Sequence, residues 1–334
     1  MTKDKWIDTC KGIPKFLCKV LTVKFVLQVF ASIAVLYCIT SYIHGATYIW
    51  QCTTLAESIR PVERRSCPVV PASPVPNTAP VANSKPPQFG LLMVYDTKYG
   101  LPDKDLVPRL IKNREHYCQK HGCSVISTPE QDDSNTKHAR PPAWNKLLAM
   151  KKQLDTGLYD YVFYVDMDMV IMNPEISPQS LLNQAPPGQD FILTNDWSGL
   201  NTGIMFARNT DFSKTFLQLA WDQEQLVQKY SANGVPHPFE YEQRAFHYLM
   251  NTPLWQGRGL PQYQGDYLEN RKHFTTLPQC SMNSYVLHPL EFRADREVSQ
   301  YVESDFVVHL AGKKGQTKMD FTKYYLSLAE EEYH

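Results

Sequence analysis

Tyr159-Asp160-Tyr161-Val162-Phe163-Tyr164-Val165-Asp166-Met167-Asp168-Met169-Val170 is an apolar run that ends abruptly in two carboxylates one residue apart. Tyr161 to Val165 are all apolar or aromatic, rich in β-formers, and follow a break at Gly157, which suits a short strand buried on both faces. Such strands sit mid-sheet. In an extended chain residues i and i+2 point the same way, so Asp166 and Asp168 project together just beyond the strand end, where open α/β sheets bind ligands. Two adjacent carboxylates repel each other unless a cation sits between them. Hard oxygen ligands favour Mg²⁺ or Mn²⁺, with a diphosphate completing the shell. The competing reading is a solvated turn closed by Asn173-Pro174.

Working outward, the upstream chain alternates strands and helices. Phe89 to Tyr95 reads as a first buried parallel strand, and Asp96 at its end is a candidate nucleotide contact. Leu106 to Tyr117 has helical spacing and runs to a C-cap near Gly122; Cys123 to Ile126 is a second strand, and Trp144 to Leu154 another helix. Downstream, Phe191 to Thr194 and the Gly-bracketed Gly199 to Arg208 stretch are further strands. Phe212 to Tyr230 reads as one long helix. A second helix opens at Glu242-Gln243 and runs to Met250. Asp305 to His309 is a late strand, and Leu310-Ala-Gly-Lys-Lys-Gly315 a flexible basic loop. The alternation predicts an α/β fold with a mostly parallel sheet.

The N-terminal quarter has a different character. Residues 1–24 form a lysine-rich tail, and from Phe25 to Trp50 there is no Asp, Glu, Lys or Arg, enough for one bilayer crossing at about 20 residues. The lysine excess on the N-terminal side predicts a cytosolic tail and a lumenal bulk. Residues 51–87 are Pro-rich without periodicity and read as a stem. Residues 88–334 are left as the folded domain. A chain of 334 residues at 43% hydrophobic can bury a full core. Lys+Arg and Asp+Glu both number 34, so no global positive charge argues for a nucleic-acid partner.

Of eight cysteines, Cys10, Cys18 and Cys38 fall in the tail or the membrane segment. Cys52, Cys67, Cys118, Cys123 and Cys280 remain, an odd number in a compartment expected to be oxidising. Cys118 and Cys123 flank a helix end and are placed to pair. A stem cysteine can bridge two chains into a homo- or heterodimer, or stay free.

Several stretches together resemble glycosyltransferase family 34, which includes fungal galactosyltransferases, yeast mannan mannosyltransferases and plant xyloglucan xylosyltransferases. They are Lys112-Asn-Arg-Glu-His-Tyr-Cys-Gln-Lys-His-Gly122, Trp144-Asn-Lys146, Val165 to Pro174, Gly199-Leu-Asn-Thr-Gly-Ile-Met-Phe-Ala-Arg208, Tyr241-Glu-Gln243 and His309-Leu-Ala-Gly312. The resemblance implies a GT-A fold, a single-pass type II Golgi membrane protein, a nucleotide-sugar donor, a glycan acceptor, and transfer with retention of configuration. It maps Mn²⁺ onto Asp166, Asp168 and His309. Lys314 matches a diphosphate-contacting lysine, with Gly312 and Lys146 also in the nucleotide-sugar set. Gln243 matches a glutamine beneath the anomeric carbon, and Glu242 is the rival nucleophile for double displacement. Asp196, Asn201 and Gly203 are assigned to donor-sugar and acceptor contacts. Trp197 and Trp255 are candidate sugar-stacking platforms. After Gly312 this chain has Lys-Lys-Gly where plant members continue with cysteines, so donor and acceptor identity stay open.

Two other readings compete. A haloacid-dehalogenase-type phosphatase also begins with an apolar strand and Asp-x-Asp-x-Val, with Asp166 as nucleophile and Gly265-Asp266 with Asn270 as a partial second motif. The other is a catalytically inactive scaffold subunit of a glycosylation complex.

Overall fold

A computed structural model describes residue 67 and residues 86–95, 104–129, 140–227, 241–256, 262–287 and 299–331. Among these, no helix is long and apolar enough to cross a membrane. The expected tail, the expected membrane segment 25–50, most of the stem and Asp96 lie outside the described residues.

The opening stretch is a central strand, as its composition requires. Strands β1 (Phe89–Tyr95), β2 (Ser124–Pro129), β3 (Tyr161–Val165), β5 (Phe191–Asp196), β6 (Gly199–Arg208) and β7 (Phe274–Leu277) form a six-stranded sheet in the order β2-β1-β3-β6-β5-β7. β3 pairs parallel with β1 and antiparallel with β6; β1–β2 and β5–β7 are parallel, so β6 alone runs against the rest. The expected α/β class with a mostly parallel sheet is what forms. A second sheet, β4-β9-β8, joins Met169–Ile171, Val307–His309 and Ser284–Tyr285.

Alternation along β3 divides the core. Val162 and Tyr164 pack on one face with Trp144, Leu147, Met150 and Leu154. Three helices cover that face: α2 (Asn145–Asp155), α3 (Asp211–Trp221) and α4 (Gln243–Leu249). Phe163 and Val165 pack on the other face with Phe206, Phe306 and Tyr117 of α1 (Leu106–His121). The Phe163 and Phe206 rings stack at 4.0 Å. Burial of both faces explains the unbroken apolar run.

Three features differ from the sequence reading. The helix expected to reach Tyr230 ends at Trp221, and its last turn gives way to a short 3-10 turn, Glu224–Leu226. The basic stretch after His309 is only a tight turn, because a 17-residue helix, α5 (Gly315–Glu331), begins at once. Arg109 of α1 grips both Glu330 oxygens through one guanidinium edge, Nε at 2.9 and Nη2 at 2.8 Å, and ties α5 to the domain. Lastly, Cys67 in the expected stem is bonded to Cys280, 213 residues away. Closing so long a loop restricts the unfolded chain by about 5 kcal/mol in the chain-entropy account. Cys118 and Cys123 are also bonded, as their spacing suggested.

Candidate active site

The two aspartates do not continue β3 as an extended chain. The backbone turns at Met167-Asp168, with the Met169 N–H donating to Asp166 O at 3.2 Å, and β4 leaves in the second sheet. Antiparallel pairing of β4 with β9 sets Met169 opposite His309, and that register delivers the histidine to the carboxylates. Oxygens of Asp166 and Asp168 and a ring nitrogen of His309 lie within 4.8 Å of one another.

The turn is held from behind by α1. The Arg114 guanidinium, fully buried, donates to Asp166 O at 3.1 Å and Met169 O at 2.7 Å. Asn113 makes paired bonds with the backbone of Ile171, 2.9 and 3.0 Å. Both residues belong to the Lys112–Gly122 stretch, so that motif serves the carboxylate turn.

The His309 side chain is fixed as a metal ligand requires. Its Nδ1 donates to Asn283 Oδ1 at 2.7 Å, which leaves Nε2, 3.3 Å from Asp168 Oδ1, as the lone-pair nitrogen. Asn283, itself fully buried, is anchored on Thr194 Oγ1 at 2.8 Å. Gly203 forms the opposite wall. A Cβ there would stand 2.7 Å from His309 Cε1 and 3.0 Å from Asp166 Oδ2, so only glycine leaves the space between them open. Two carboxylates, an imidazole nitrogen with its tautomer set, and a cleared wall fit a divalent cation.

Charge around the cluster is mixed. Lys318, from the first turns of α5, donates to Asp168 Oδ2 at 2.7 Å. Burial opposes ionisation of Asp168, but the Lys318 ammonium beside it overcomes that and holds its carboxyl well below the usual carboxylate range. Tyr164 donates to Asp166 Oδ1 at 2.6 Å; burial and that carboxylate push the phenol well up, so it stays a donor.

A second, buried network adjoins the first. The Lys146 ammonium lies 3.0 Å from Asp166 Oδ1 and 2.8 Å from Glu242 Oε1, and also donates to Thr202 O at 3.2 Å. Burial disfavours its charge, but the two carboxylates more than compensate and raise its pKa. The Thr202 hydroxyl donates to Glu242 Oε1 at 2.7 Å, and the Thr202 N–H donates to Gln243 Oε1 at 3.2 Å. Glu242 is 1% exposed, and its Oε2 has no hydrogen-bond partner among the described residues.

The model of the galactosyl transferase GMA12/MNN10 family matches residues 87–186 and 174–319. The chain belongs to that family, glycosyltransferase family 34. It is 22% identical over 254 residues to the probable alpha-1,6-mannosyltransferase MNN10 of Saccharomyces cerevisiae, covering 66% of this chain and 59% of that protein's length. Similar solved structures include a glycosyltransferase involved in the glycosylation of the major capsid of PBCV-1, with 15% identity and TM-score 0.48, covering 72% of this chain and 98% of that one. Mouse xyloside xylosyltransferase 1 in its apo form is another, with 12% identity, TM-score 0.40, and coverage of 69% and 100%.

Against the family motifs, the structure gathers Asp166, Asp168, His309, Gly203, Lys146, Glu242 and Gln243 at the carboxyl end of β3. Asp196 and Asn201 lie beside them and are bonded to each other at 3.0 Å, and both share the Tyr285 hydroxyl, at 2.7 and 2.9 Å. Gly312 and Lys314 are exposed in the turn between β9 and α5. Trp255 is not a platform: it is 4% exposed, in the core beside Arg244, whose guanidinium lies 5.7 Å from its ring. Lys318, Asn283, Tyr285 and Thr202 escaped the sequence reading. Thr202 sits inside a quoted motif and was legible as a neighbour; nothing in the pattern marks the other three.

Proposed function

We propose that this family member is a retaining, Mn²⁺-dependent glycosyltransferase. It moves a hexosyl or xylosyl unit from a nucleotide sugar, such as UDP-galactose, GDP-mannose or UDP-xylose, to a glycan in α linkage. The observation that carries the reading is the His309–Asn283 bond, which turns the Nε2 lone pair toward the two aspartates. A bound divalent cation would neutralise charge building on the departing diphosphate. Lys318, released from Asp168, would add positive charge there, and the family motif assigns the same part to Lys314. Asp196 and Asn201, held rigid by Tyr285, are suited to orienting sugar hydroxyls.

Between the two candidates at the anomeric carbon, the contacts favour Gln243. Glu242 is buried, its Oε1 is shared by Lys146 and Thr202, and its unengaged Oε2 is shut away from the surface, so the reading gives Glu242 a positioning part and not that of the nucleophile. An amide is a poor nucleophile. The reading is therefore front-face attack, in which the departing phosphate oxygen accepts the acceptor's proton. The phosphatase reading fades beside family membership, and Asp266, its partial second motif, caps a short helix by accepting the Glu269 N–H at 2.9 Å.

Location follows the same reasoning: a type II Golgi membrane protein with a lumenal domain. Two disulfides suit an oxidising lumen, and the yeast relative is a mannosyltransferase of this family. The test offers UDP- and GDP-sugars with Mn²⁺ or chelator to the chain from Ser58 onward, which keeps the Cys67–Cys280 bond, beside Asp168→Ala. Metal-dependent turnover of one donor, lost in the variant, is expected. No turnover of any donor would leave the scaffold reading in its place.

A further inference from the structure

Four large apolar side chains are exposed among the described residues: Leu158, Trp197, Tyr241 and Leu268. The two aromatic ones border the site, since Tyr241 precedes Glu242 and Trp197 follows Asp196. Trp197, 44% exposed, is the better placed. It occupies the tip of the β5–β6 hairpin, where Asp196 pairs with Gly199 and leaves a two-residue turn, Trp197-Ser198. That turn is tightly fixed. Asp196 Oδ1 accepts from both the N–H and the hydroxyl of Ser198, each at 2.6 Å, and Gly199 supplies the positive φ of 104° that a side chain would resist.

The indole is also braced from below. Its ring meets Tyr285 edge-on at 5.0 Å, and Tyr285 in turn meets His309 edge-on at 5.2 Å. The Tyr285 hydroxyl is locked on Asp196 and Asn201. Trp197 is thus joined to a candidate metal ligand, His309, through one ring. Trp197 has an apolar body and a polar N–H tip, and part of its indole borders solvent beside the site. The apolar C–H face of a pyranose matches a flat indole, and its hydroxyls match the polar rim of Asp196 and Ser198.

Resting on the transferase reading, we propose that Trp197 is the floor of the acceptor subsite, on which a pyranose ring of the acceptor glycan stacks while its hydroxyl faces the donor. The recognition is by ring face, so the platform accepts the acceptor's sugar class and tolerates differences at hydroxyls turned away from it.

The test measures acceptor KM, and the ratio of transfer to donor hydrolysis, with the full chain and the donor and acceptor that support turnover. Trp197→Ala is expected to raise acceptor KM about tenfold, which is the loss of about 1.4 kcal/mol of binding, and to lower the ratio in proportion. Trp197→Phe, which keeps a ring, is expected to recover most of the loss. Leu158→Ala, at the opposite end of β3, serves as the exposed apolar control and is expected to match wild type. Acceptor KM within twofold of wild type in Trp197→Ala overturns the proposal, and so does an equal loss of transfer and hydrolysis, which would place the defect in the donor site or the fold. A wild-type chain that turns over no donor overturns the transferase reading itself, an outcome distinct from either.

Discussion

His273 and His309 stand at opposite ends of the sheet, and both are half of a histidine–carboxylate pair. His273 Nδ1 lies 2.5 Å from Asp190 Oδ2, and its Nε2 lies 3.5 Å from Glu269. The two carboxylates face different nitrogens of one ring, so they cannot converge on one cation. Asp190 is closed further by the Thr210 hydroxyl at 2.6 Å, and Phe212 stacks on the imidazole at 3.6 Å. That cluster clamps the amino ends of β5 and β7 to the start of α3. His309 instead donates from Nδ1 to a neutral amide and shares Nε2 with two aspartates. The lesson is that a carboxylate beside a histidine indicates little; what matters is which nitrogen is already engaged and whether the acids meet on the other.

This contrast can be broken from either side. The largest effect is expected from Gly203→Ala, whose Cβ would collide with His309 Cε1 and Asp166. A buried, amide-pinned ring cannot step aside, so turnover should fall about 100-fold, as misplacement of a catalytic group by about an ångström does. Steady-state assay with a thermal melt separates this from unfolding. Next, Asn283→Ala removes the partner that sets the His309 tautomer, and Mn²⁺ affinity measured by calorimetry should weaken about 10–100-fold. Smallest at the metal site is His273→Ala, which should lower stability by about 1–3 kcal/mol in urea unfolding while leaving Mn²⁺ affinity at its wild-type value. Weakened metal binding there would erase the distinction drawn between the two histidines.

How far the sequence reached follows the same division. The buried strand, the paired aspartates and the order of helices could be read because each is written in a local period or an abrupt change of polarity. His309 and Gln243 were legible only through family motifs. Asn283 was not legible at all: it lies 26 residues before His309, next to a two-residue strand, and its role exists only once β8 and β9 pair. Lys318 was hidden for a related reason. Its helix opens on Gly315, which like Gly312 before it has a positive φ, and mixes Thr322 and Ala329 into its buried face, so its apolar stripe is faint. The lysine's partner, Asp168, is 150 positions away. The overlong helix after Phe212 failed differently, since apolar Leu226 and Val227 keep the sequence pattern going although the backbone leaves it at Trp221.

The central claim is that Asp166, Asp168 and His309 together hold a divalent cation, and titration of Mn²⁺ followed by its electron paramagnetic resonance signal tests it most directly. The wild-type chain should bind one Mn²⁺ per molecule, and His309→Ala should weaken that binding at least 100-fold, whereas His273→Ala should leave it unchanged. Equal binding by wild type and His309→Ala would contradict the account, because the lone pair set by Asn283 would then have no part in the site.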